Sequence, residues 1–137
     1  MATNESRLEL VQRLMPLLLG GEDSRLLQLK GQWLAATVTI QSETNWGFYA
    51  EFDVAEDTEK VEPPDFAGGN AVIKVEGVQN DAGCILYVKN GRLKVLEVYT
   101  YDEPWEPPPK FGAITQHRPI VPGENAPGRG AGMKSTQ

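Results

Sequence analysis

The sequence predicts an α+β fold: two N-terminal helices packed on a mostly antiparallel sheet of about five strands, followed by a Pro/Gly-rich C-terminal tail. Three observations carry the prediction. Apolar residues recur at helical spacing from Leu8 to Trp33, and from Ala36 onward the period drops to two. Asn90-Gly91, flanked by two strand-like runs, is the strongest hairpin signal in the chain. Helices grouped first and strands grouped after them argue for α+β rather than an alternating parallel sheet.

The first helix opens at Ser6-Arg7-Leu8-Glu9, a capping box in which Ser6 accepts an orphan backbone N–H and Glu9 reaches back. Leu8, Val11, Met15 and Leu18 form its apolar stripe, widened by Leu10, Leu14 and Leu17. Pro16 removes one helical hydrogen bond and predicts a kink, and Gly20-Gly21 ends the helix. A second helix starts at Asp23 or Ser24 and carries Leu26, Leu29 and Trp33 on one side, with Gly31 inside it. Thr37–Ile40 alternates as a first strand. In the second, Trp46, Phe48, Ala50, Phe52 and Val54 are expected to face inward, while Glu51 and Asp53 face water. Ala71–Val75 is a third strand. Cys84–Lys89 and Arg92–Tyr101 are the last two, joined by Asn90-Gly91 in a type I′ turn.

Composition changes near Pro104, because seven of the 10 prolines lie between Pro104 and Pro127. Residues 1–106 carry a net charge of −9 and the remainder +3. Residues 1–106 are therefore expected to be a single folded domain. Residues 107–137 are expected to be an extended segment, polyproline II at Pro107-Pro108-Pro109, running into a mobile tail from about Gly112.

Charge and residue counts exclude several functions. The 137-residue chain has 13 Lys and Arg against 19 Asp and Glu, giving −6 overall. It lacks the basic cluster that a phosphate backbone requires, so no nucleic-acid partner is expected. No run approaches the ~20 apolar residues of a membrane span, and no basic leader is visible, so a cytoplasmic protein without a membrane partner is expected. One Cys and one His leave no thiolate or His-rich metal set, and no cofactor is expected. His117 lies in the expected tail, far from Cys84, whose strand looks buried. The serines show no nucleophile elbow. Asp53, Asp57 and Glu59 approach calcium-loop spacing, but Thr58 stands where the loop needs Gly. No catalytic residue is predicted.

Two constellations remain. Glu51, Asp53, Glu56, Asp57 and Glu59, extended by Glu62 and Asp65 and offset by Lys60, form an acidic face suited to steering a basic protein partner. Glu97 sits among apolar strand residues, where a carboxylate needs a partner; Lys74, Arg92 or Lys94 are candidates. With Tyr99, Asp102 and Trp105, Glu97 outlines an alternative pocket for a small molecule.

Several phrases bear on family: Trp46-Gly47-Phe48-Tyr49 with Phe52; Gly77 leading into Ala82-Gly83-Cys84-Ile85-Leu86-Tyr87-Val88; Asn90-Gly91-Arg92-Leu93; and Leu96–Tyr101 followed by Asp102-Glu103-Pro104-Trp105. In these the chain resembles a family of small uncharacterised bacterial proteins, departing from it at Val98 and Glu106, where glycine and proline are common. The resemblance implies the same order of elements and carries no activity. The expected function is a non-catalytic interaction domain, comparable in size and charge to bacterial immunity proteins.

Overall fold

A computed structural model describes residues 5–124. Helix α1 spans Glu5–Leu18 and α2 spans Ser24–Ala35. Strands follow at Thr37–Thr44 (β1), Gly47–Asp53 (β2), Phe66–Gly68 (β3), Asn70–Val75 (β4), Ala82–Lys89 (β5), Arg92–Thr100 (β6) and Phe111–Arg118 (β7). The class is α+β with an antiparallel sheet, as the periodicity predicts. The sheet has seven strands rather than about five. Its order is β1-β2-β6-β5-β4-β7, with β3 pairing β5 beside that path.

The sheet coils around α1. Phe48 on β2 and Phe111 on β7 are separated by four strand-to-strand steps, roughly 19 Å in a flat sheet. Their rings nevertheless lie 6.3 Å apart. Only strong curvature brings them together, and α1 accordingly touches both edge strands, β1 and β7. Its buried stripe is Leu10, Val11, Leu14, Met15 and Leu18, set against Phe48, Ala50, Leu86, Leu96 and Val98 in one continuous core.

Several local expectations are corrected. Helix α1 already includes Glu5 and Ser6, and the Ser6 hydroxyl has no hydrogen-bond partner among the described residues, so the capping box does not form. Asp23 does cap α2: its carboxylate accepts the Arg25 backbone N–H at 2.8 Å. Trp46 is 46% exposed instead of facing the core, since β2 begins only at Gly47. The Pro107–Pro108 peptide is cis, so the proline triplet is not continuous polyproline II.

The largest correction concerns the expected tail. Residues 111–118 form β7, antiparallel to β4, with Ile73 opposite Ile114 and Val75 opposite Phe111. The Ile120 backbone N–H then donates to Leu18 O at 2.8 Å, and its side chain is buried. Arg118 pairs with Glu124 at 2.9 Å, and the Ala67 N–H donates to Glu124 O at 3.0 Å. The chain is therefore packed against the body well past Glu106. The expectation of a mobile segment beyond residue 124 lies outside the described residues.

Candidate functional site

One buried amide links the acidic connector between β2 and β3 to the β5–β6 hairpin. Gln32, buried on α2, donates through Nε2 to Glu59 O at 3.2 Å and Gly91 O at 3.1 Å, and accepts the Leu93 N–H at 2.8 Å. One side chain thus satisfies three backbone groups from two segments, which fixes the connector against the β5–β6 hairpin. The Val61 N–H donates to Gly91 O, and the Gly91 N–H to Pro64 O at 2.8 Å. Asp65 accepts the Asn90 N–H at 2.9 Å. Asn90 and Gly91 both have positive φ, 55° and 77°, as a type I′ turn requires.

Three residues further on, Arg25 donates to Glu62 O at 3.0 Å while gripping Asp23 with two nitrogens. Side-chain and backbone hydrogen bonds from Arg25 hold the Asp23 carboxyl down at about 2.

The acidic residues divide between two surfaces. Glu51 and Asp53 alternate with buried Ala50 and Phe52, so they project from the sheet face opposite the helices. Asp53 there shares an open cleft with Lys89, Arg92 and Lys94. Glu56 and Asp57 sit at the tip of a turn closed by the Thr58 N–H donating to Ala55 O at 3.1 Å. With Glu59 they are exposed and make no ion pair among the described residues. The single acidic face expected from the sequence is therefore two margins. The one at Glu56–Glu59 forms no ion pair among the described residues, and the cation of its own connector is Lys60.

Beside that turn runs a groove of about 230 Å³ between the connector and α2, lined by Gln28, Gly31, Ala35, Val54, Ala55 and Glu59 among others. Leu27 and Leu34, 61% and 78% exposed, share the outer stripe of α2 with Gly31. The sequence pattern points to the opposite stripe, Leu26, Leu29 and Trp33. The signal missed was two leucines seven apart that fit no core position.

The four residues of the alternative pocket do not line one cavity: a groove of about 170 Å³ does reach Glu97, but its other lining includes Ser42, Thr44, Phe48 and Tyr49 rather than Tyr99, Asp102 or Trp105. Glu97 is 7% exposed on the outer sheet face, and its partner is the Tyr87 hydroxyl at 3.1 Å. Lys74, one of the expected partners, pairs with Asp81 instead. Tyr99 lies two residues along the same face, stacked edge-on with Tyr101 at 5.6 Å. Asp102 is engaged with the Asn80 amide at 2.9 and 3.0 Å. Trp105 is buried on the core side against Phe48 and Phe111. The four residues occupy both faces of the sheet and a turn, because the chain leaves the sheet after Thr100 and Trp105 turns into the core, its backbone N–H donating to Asn45 O at 2.8 Å.

Cys84 is fully buried, and desolvation pushes its thiol up to about 12. Partial burial, with Cys84 and Asp81 nearby, raises the Tyr101 phenol as well. Among the described residues, no three His, Cys, Asp or Glu side chains gather in a metal-binding arrangement, and no helix is long and apolar enough to cross a membrane. No family model matches this chain, and neither a curated protein nor a solved structure does.

Proposed function

We propose that the protein is a non-catalytic interaction domain that docks a basic protein partner, in the cytoplasm, through the margin at Glu56, Asp57 and Glu59. The observation that carries this reading is the pairing of an anchored backbone with unpaired charges. Gln32 and Arg25 hold the connector just after the turn, at Glu59 and Glu62, while Glu56, Asp57 and Glu59 are exposed and form no ion pair among the described residues. Exposed like charges on a fixed loop raise the local concentration of an oppositely charged partner and accelerate encounter. Glu51 and Asp53 form a secondary margin whose charge Lys89, Arg92 and Lys94 reduce.

The reading is tested by the triple variant Glu56→Lys, Asp57→Lys and Glu59→Lys. Thermal unfolding should change little, because exposed charges contribute weakly to stability. Association with a basic partner captured from the native cells should slow, and the wild-type rate should fall as salt rises. A folded variant that associates at the wild-type rate removes the acidic margin from the interface.

A further inference from the structure

The groove beside the acidic turn points to the shape of the partner. We infer, building on the docking reading above, that the outer face of α2 seats an amphipathic basic helix: an apolar stripe against Leu27, Gly31 and Leu34, with Lys or Arg reaching Glu56, Asp57 and Glu59.

Three features of α2 support a helical occupant. Its core contacts are made by Leu26, Leu29, Gln32 and Trp33, so Leu27 and Leu34 point outward and are mostly exposed among the described residues. Gly31 lies between them, and a Cβ there would meet no atom within 4 Å. Glycine in an exposed helix interior weakens the helix, and nothing within the domain requires it. A small residue between two apolar ones lets a second helix axis approach closely, with the leucines flanking the crossing. Finally, the adjoining groove extends this apolar surface through Ala35, Val54 and Ala55 to the acidic turn.

Charge selects the partner. A second copy of this chain packed about a two-fold axis on α2 would bring two turns of three carboxylates together in a chain already at −6. The cations of those segments are Lys60 of the same connector and Lys30 and Arg25 of α2, and Arg25 is paired with Asp23. Like charges across an interface disfavour that assembly. A helix with Lys or Arg along the margin of its apolar stripe satisfies both surfaces at once, in the helix-in-groove manner of peptide recognition.

The test uses the whole protein and a synthetic peptide of about 18 residues, long enough to form a helix, with Leu at i, i+3, i+4 and i+7 spacing and Lys elsewhere. Its controls are the same composition scrambled and a Leu/Glu version. Fluorescence anisotropy should show salt-sensitive binding of the Leu/Lys peptide, roughly tenfold weaker for the scrambled peptide and absent for Leu/Glu. The variant Leu27→Glu with Leu34→Glu should fold normally and lose binding. Gly31→Ala should unfold at a higher temperature than wild type and bind the peptide more weakly, a combination that a purely structural glycine would not give.

Equal binding of the scrambled peptide, or wild-type binding by the leucine double variant, overturns the inference. So does sedimentation of the native chain as a dimer that Leu27→Glu with Leu34→Glu dissolves. If the charge-reversal triple slows capture of the basic partner while the leucine variant does not, the docking reading stands and the seated helix falls. If the leucine variant alone matters, the reverse holds.

Discussion

Cys84 and Gly91 show how much a single position can be asked to do in this fold. The Cys84 side chain has no water contact, and removal from water penalises the thiolate rather than the thiol, placing its titration at about 12. The unfolded chain ionises near 9, so between these values it has lost a proton that the folded chain retains. Folding stability should therefore fall as pH rises from about 9 toward 12, by about 1.4 kcal/mol per unit, and Cys84→Ala should flatten that decline in urea titrations. Below pH 9 a thiol reagent should label the wild type only at the rate of unfolding. Gly91 carries a different constraint. Its φ is 77°, and an added Cβ would stand 2.5 Å from Lys60 Cβ on the clamped connector. Gly91→Val should cost about 2 kcal/mol or more by chemical denaturation, from backbone strain together with displacement of the connector. The Asn90-Gly91 turn could be read directly because its requirement is local: two positive φ angles in succession. The Tyr87 hydrogen bond to Glu97 could not, because a register shift between Tyr87 and Val88 moves this part of the hairpin off the pairing that the two-residue turn alone would set.

At the scale of elements, the contrast between the β5–β6 hairpin and β7 explains which strands were legible. The hairpin announces itself through dense β-branched residues and a turn that fixes its register. Strand β7 has only Phe111 and Ile114 partly buried, three residues apart, because the β4–β7 ladder shifts register twice. A strand read from alternation is invisible when irregularities break the alternation and most of its residues face water. β3 is missed for a simpler reason: three residues are too few to show a period. Strand β7 and the turn after it are nonetheless structural. Ile120 is 1% exposed and its backbone meets Leu18, so Ile120→Ala should destabilise the protein by about 3 kcal/mol in equilibrium unfolding. The Gln32 clamp predicts a second outcome at this scale. Gln32→Ala orphans the Leu93 N–H, and loosening should appear together in the connector and the hairpin, as faster amide exchange at Val61, Gly91 and Leu93.

At the scale of the whole molecule, the two helices were legible as amphipathic units, but not what encloses them. Curvature is a property of seven strands acting together, and it makes α1 the axis around which the first and last strands close. Arg13 on α1 donates to Gly112 O at 2.6 Å, joining positions 99 residues apart, and Ile120 meets Leu18. Removing residues 111–137 should therefore expose the α1 side of the core. A chain ending at Lys110 is expected to bind a hydrophobic dye and lose cooperative thermal unfolding, whereas one ending at Glu124 should keep it.

This closure has a consequence during synthesis. A ribosome delivers α1 well before β7, the strand that covers its flank, at roughly 5–20 residues per second. For that interval Leu18 and its neighbours have no lasting cover, and the nascent chain presents them to whatever waits outside the exit tunnel.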